Sequence, residues 1–175
     1  MASPTFTLAN SATHREAILD ISVEYVSWVA AGIEKSCGLP PVALLGMPIP
    51  AYVASVIDKV CGDAPPRGAF YLVEHDGAVA GMGGLRRIRE GVAEIKRFYV
   101  RPAHRGKRLG EAILGRVIDD ARAFGYRTIF LDTAPFMHSA QRLYEAAGFV
   151  DRAPYEEVEV PPVLHGVWRF MERAV

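Results

Sequence analysis

Between Arg105 and Gly110 three cations, Arg105, Lys107 and Arg108, are interleaved with two glycines, Gly106 and Gly110. Arginine and lysine supply positive charge, and glycines remove the side chains that would keep a ligand off the backbone, so the chemistry in prospect is anion binding, phosphate above all. Two common phosphate loops do not fit. A Walker loop needs a Gly-Lys-Ser/Thr ending four residues after its first glycine, but Gly106 and Gly110 stand too close and are followed by Glu111-Ala112. A dinucleotide fingerprint begun at Gly81-Met82-Gly83-Gly84 meets Arg86 where the third glycine belongs, and no helix pattern follows. That run reads as a strand interior with a bulge or bend.

The elements around the loop are built to position it. Pro102 cannot donate to a strand ladder and keeps Arg101 out of helical geometry, so the strand before it ends at Val100. A helix then begins near Leu109, with Leu109, Ile113, Leu114, Val117, Ile118, Ala121 and Phe124 on one stripe and Gly125 closing it. Its free N–H groups and positive dipole end face the loop.

The rest of the chain reads as alternating elements. Phe6–Leu8 is a short strand, and a helix from about His14 to Ala31 follows a capping-box spacing at Thr13 and Glu16. Residues 37–50, with four prolines, read as loop, and Ala51–Val60 as a helix. Strands at Ala69–His75 and Ala78–Leu85 flank an Asp76-Gly77 hairpin turn. Later come strands at Thr128–Asp132, from Phe149 and at Trp168–Met171, with a helix at Ser139–Ala147. The order predicts one α/β domain over residues 1–175, a mixed central sheet with flanking helices.

Three segments together resemble the GNAT acetyltransferase superfamily. Arg105 and Gly110 match the ends of its [Q/R]-x-x-G-x-[G/A] pyrophosphate loop, with Arg108 in place of the middle glycine. Glu94–Val100 resembles its fourth strand, and Ala140-Gln141-Arg142-Leu143-Tyr144-Glu145-Ala146-Ala147-Gly148-Phe149 its A-x-x-x-Y-x-x-x-G-F helix. The resemblance runs from about residue 69 to 150, in family order, and implies splayed fourth and fifth strands.

It also implies acetyl-CoA as cosubstrate and direct attack of an amine on the thioester, with no covalent enzyme intermediate. The acceptor expected is a small-molecule primary amine or a peptide N-terminus. By the same resemblance the loop Arg105-Gly106-Lys107-Arg108-Leu109-Gly110 holds the pyrophosphate, and the backbone of Phe98, Tyr99 and Val100 pairs with the pantetheine arm. Where the family often has an asparagine, seven residues before Tyr144, this chain has Met137, and a polar contact passes to Ser139 or His138. Tyr144 stands at the position of the hydrogen-bond donor to the departing thiolate, or packs in the core.

Glu94 is the candidate base, on one strand face with Lys96, Phe98 and Val100 by simple alternation. Its alternative is a salt bridge to Lys96, Arg86 or Arg87. The run Glu156, Glu157, Glu159 either attracts a cationic acceptor or is a solvated face.

Composition narrows the classes further. Twenty basic and twenty acidic residues balance, so nothing global favours nucleic acid or membrane. Cys37 and Cys61 lack metal spacing, which predicts free thiols in a cytoplasmic protein without a metal, as monomer or homodimer. The longest apolar stretch, Ala17–Ile33, is interrupted by Asp20 and Glu24 and reads as a soluble helix rather than a membrane span. Two rival functions stay open. One is a nucleic-acid module using Arg86, Arg87, Arg89, Lys96, Arg97, Arg101, Arg105, Lys107 and Arg108 as a basic face. The other is a CoA-binding sensor of GNAT type without catalysis.

Overall fold

The computed structural model describes residues 3–175. Its strands are β1 (Thr5–Leu8), β2 (Ala69–His75), β3 (Ala78–Arg89), β4 (Val92–Val100), β5 (Thr128–Thr133), β6 (Val150–Arg152) and β7 (Arg169–Ala174). They form one sheet in the order β1-β2-β3-β4-β5-β7-β6. The helices are α1 (Arg15–Cys37), α2 (Pro41–Leu45), α3 (Ile49–Val60), α4 (Leu109–Ala123) and α5 (His138–Ala146). All neighbouring strands pair antiparallel except β4 and β5, whose parallel ladder is confined to Val92↔Thr128, Ala93↔Ile129 and Glu94↔Phe130. Beyond Glu94 the two strands part, leaving the β4 backbone unpaired on its β5 side as far as Val100.

Each sheet face carries its own apolar core. On one, α4 buries Leu114, Val117, Ile118 and Ala121 against Leu85, Ile95, Leu131 and Met171, with Tyr144 and Phe149 beside them. On the other, Ile18 and Ile21 of α1 and Ile57 of α3 pack on Phe70, Leu72, Met82 and Tyr99. The buried stripe of α4 is the one its spacing predicts, apart from Phe124, which caps the helix half-buried.

Several sequence expectations are corrected. Residues 37–50 are largely helical: α1 runs on to Cys37 and closes at Gly38 in the left-handed region, and two short helices follow. The prolines read as breakers start these helices, because Pro41 and Pro50 sit in first turns, where a fixed φ is preset and no N–H is needed. The capping box does not form: α1 begins after His14 without a side-chain cap, and Asn10 accepts instead from the Ala12 N–H at 2.7 Å. The most membrane-like window is Pro41–Val60, not Ala17–Ile33, and it folds as two helices broken around Gly46–Pro48.

The most consequential correction lies in β4. Its alternation is broken at Arg97, which takes a left-handed φ of 52° where the register with β3 shifts between Met82 and Gly84. A bulge adds a residue and reverses the side-chain phase. Glu94 and Lys96 therefore belong to the α1 and α3 face, whereas Phe98 and Val100 pack on the α4 face.

Candidate active site

The splay of β4 from β5 separates two cavities that share Phe98 and Met137. The larger, about 590 Å³, takes in the loop and first turn of α4, the backbone of Phe98, Tyr99 and Val100, and the start of α5 at His138, Ser139 and Ala140. The other, about 360 Å³, lies between the sheet and α1 to α3.

The larger cavity has the features of an anion cradle. Helix α4 begins after Arg108 with no side-chain cap, so its first-turn N–H groups stay available. Arg105 is held beside them. Its Nε donates to the Val100 carbonyl at 3.1 Å, and its guanidinium lies 5.5 Å from the Trp28 ring and 5.8 Å from Tyr99. Gly106, at φ 78°, leaves open space around the turn. Close packing explains Gly110 differently, since a Cβ there would sit 3.2 Å from Leu143. Cradle and cavity suit the size and charge of a pyrophosphate-bearing cosubstrate.

Two loop cations behave otherwise than the sequence predicts. Lys107 does not line the cavity; its Nζ is drawn 3.0 Å from Asp76 in the β2–β3 turn. Arg108 reaches the rim, but its guanidinium is bound to Glu111 one turn on, at 2.6 Å. Its backbone φ of 60° explains why glycine suits this position. Arg108→Gly should raise stability by about 1 kcal/mol, because the lost pair with Glu111 is exposed and worth little. A higher urea midpoint at unchanged slope would show it.

Tyr144 is buried beneath the meeting point of the cavities, edge-on to Phe98 at 5.6 Å and to Phe149 at 5.9 Å. Its hydroxyl makes no hydrogen bond with the described residues. Burial, with Tyr25 and Asp132 nearby, pushes its pKa well up, so it holds its proton and can only donate a hydrogen bond.

Glu94 is fully buried and does not line the cavity. One carboxylate oxygen accepts from Arg86 Nε at 2.7 Å and the other from the Tyr155 hydroxyl, with Lys96 Nζ 3.6 Å from the latter oxygen. Burial and Glu94 push the Tyr155 hydroxyl up, which keeps it a donor. The salt bridge to Arg86 foreseen as the alternative is thus present, and the one to Arg87 is not among the ion pairs.

The carboxylates that do reach the smaller cavity are Asp132 and Glu159. Asp132 sits where β5 parts from β4, accepting from Trp168 Nε1 at 2.9 Å and lying 3.7 Å from Lys96. Glu159 meets Lys59 at 2.7 Å, Arg86 at 2.9 Å and Lys96 at 3.3 Å. Burial raises its pKa, but these cations outweigh it and hold the carboxyl down at about 2. Burial lowers the pKa of Lys96, but Asp132, Glu94 and Glu159 outweigh it and hold the group above the usual lysine value. Within the acidic run, Glu159 is a cavity wall, and Glu157 is bound to Arg89 at 2.5 Å.

Sequence reasoning missed Asp132, Tyr155 and the aromatic roof, in which the Phe136 ring rests on Gly32 of α1 and edge-on to Trp28 at 5.9 Å. None has a local signal except Asp132, whose place at a strand end beside the splay marks it. The basic residues do not form one face. Arg86, Arg89, Lys96, Arg101, Lys107 and Arg108 each have carboxylate partners, on both sides of the sheet. Among the described residues no His, Cys, Asp and Glu group is placed to hold a metal, and burial lifts the free Cys61 thiol to about 11.

Comparison with known proteins agrees with this geometry. An "IAA acetyltransferase" of Azospirillum brasilense is 36% identical over 93 residues, 53% of this chain and 61% of that protein, so the match spans under two thirds of the relative. An acetyltransferase structure from Streptococcus agalactiae superposes with a TM-score of 0.72 at 21% identity over the full length of both chains. The PaiA N-acetyltransferase of Thermoplasma acidophilum, solved with coenzyme A, superposes at 0.70 with 16% identity, over 99% of this chain and all of that one. These two likenesses show a shared fold. With the splayed strands, the bare helix start and the buried tyrosine in place, the match of residues 48–149 to the Acetyltransferase (GNAT) family assigns the chain to that family.

Proposed function

We propose that this protein transfers the acetyl group of acetyl-CoA directly to an amine. One observation carries the reading: an anion cradle and a charged, apolar-walled cavity meet at the opening between β4 and β5, under which Tyr144 lies with its hydroxyl unengaged. The first turn of α4 and Arg105 would bind the pyrophosphate, and the unpaired β4 backbone from Phe98 to Val100 would bind the pantetheine arm as an added strand. This directs the thioester to the floor shared by Phe98 and Met137. Acetyl-CoA supplies an activated carbonyl, which the amine lone pair attacks as the C–S bond breaks and sulfur leaves with the bonding pair.

An alkylammonium of pKa about 10.4 costs roughly 4 kcal/mol to deprotonate near pH 7.4, so a proton acceptor at the cavity wall lowers the barrier. We assign that role to Asp132, which faces the cavity, and make Glu94 a positioning residue that fixes Arg86 and Lys96 from below. Tyr144 donates a hydrogen bond to the departing thiolate.

Thiol release from acetyl-CoA across a panel of amines, amino acids and peptides tests the activity. Acetyl-CoA at a hundred times its Kd should also stabilise the fold by about 2.7 kcal/mol, with pantetheine far less effective. Stabilisation without turnover on any amine would make the protein a CoA-binding sensor, and equal shifts from both ligands would overturn the pyrophosphate site.

A further inference from the structure

The smaller cavity has an imbalance of charge. Four cations, Lys59, Arg86, Lys96 and Arg97, line it, against Asp132, Glu159 and the underlying Glu94. Three of the cations are engaged by those carboxylates. Arg97 is the odd one: among the described residues it has no ion-pair partner.

Its place is imposed by the backbone. The bulge at φ 52° puts Arg97 beside Lys96 on the cavity face instead of turning it to the α4 face. Tyr25, Arg97 and Asp132 line the same cavity, which thus presents a cation without an ion-pair partner and a carboxylate together with one aromatic side chain. The walls between are apolar, built from Val26, Val29, Leu45, Val56 and the rings of Tyr25 and Tyr52. A free guanidinium at the wall of a half-closed apolar cavity is a carboxylate receptor.

Building on the acetyl-transfer reading, we infer that the acceptor is a free amino acid with an apolar side chain, its carboxylate bound by Arg97, its amine directed to Asp132 and its side chain lodged against α1 and α3. A peptide N-terminus lacks that carboxylate at this distance from the amine, and a simple alkylamine lacks it altogether. The cavity thereby selects against both.

Leucine, leucinamide and isoamylamine share one side chain and differ at the carboxylate, which makes them the test. Leucine should exceed both in kcat/KM by about tenfold or more, even though leucinamide, with its less basic amine, holds more of the reactive free form. Arg97→Gln should bring the ratio of leucine to isoamylamine down to about one, and Arg97→Lys should restore part of it. Leucine no better than leucinamide, or a preference that survives Arg97→Gln, overturns the assignment. A binding measurement separates this from the transfer reading: leucine titrated calorimetrically into the CoA-loaded protein should give heat that Arg97→Gln abolishes. If no amine is acetylated, the transfer reading fails, and this titration alone decides for or against the Arg97 site.

Discussion

Replacing Tyr144 by phenylalanine should lower kcat at least tenfold while leaving the affinity for acetyl-CoA nearly unchanged. The substitution removes one oxygen from a side chain whose ring is held between Phe98 and Phe149, so packing around it persists. What disappears is the hydroxyl proposed to donate to the departing sulfur, and a donor matched to a developing anion in a dry site is worth on the order of 2–4 kcal/mol. Because burial keeps the phenol protonated throughout the working pH range, the loss should be the same at pH 7 and pH 9. Single-turnover rates with the acceptor saturating would isolate the chemical step. An unchanged rate would return Tyr144 to a purely structural place.

The second large effect concerns stability. Glu94→Ala should destabilise the fold by about 3–5 kcal/mol, since removing one partner of a buried ion pair strands the other. Here Arg86 Nε and the Tyr155 hydroxyl would lose their shared acceptor, Arg86 would keep only Glu159, and Lys96 would keep only Asp132 and Glu159. At roughly 2–4 °C per kcal/mol for a chain of this length, the melting temperature should drop by on the order of 10 °C. Asp132→Asn should do the reverse, slowing turnover severely at little cost in stability, because an amide still accepts from Trp168. A stable Glu94→Gln protein whose pH–rate profile loses its acidic limb, beside an Asp132→Asn protein that keeps it, would return the base to Glu94.

The loop and helix that shape the larger cavity were legible because their signals are local. The loop and helix α4 are specified within about 25 consecutive residues, by a proline that stops a strand, glycines that open a turn and an apolar stripe that seats a helix. Tyr144 falls at a fixed spacing on the next helix. The smaller cavity depends on convergence that no window contains: Tyr155 and Glu94 are 61 residues apart, and Lys59 and Glu159 are 100 apart. Residues 37–50 were misread because proline carries opposite meanings inside a helix and at its first turn. The face assigned to Phe98 failed for a different reason. Alternation holds only while every residue stays extended, and a left-handed arginine gives no warning in its letter.

That same arginine gives β4 a division of labour. A strand in even alternation would keep Glu94, Lys96, Phe98 and Val100 on one face along its whole length. With the phase reversed at Arg97, Lys96 and Arg97 line the smaller cavity, while Phe98 reaches the larger one and Val100 packs toward the helix that follows the loop. On the acetyl-transfer reading proposed above, substitutions at Lys96 and Arg97 should alter acceptor choice while leaving affinity for acetyl-CoA intact. Deleting one residue at the bulge should turn Phe98 and Val100 onto the face of Lys96 and break their packing against α4.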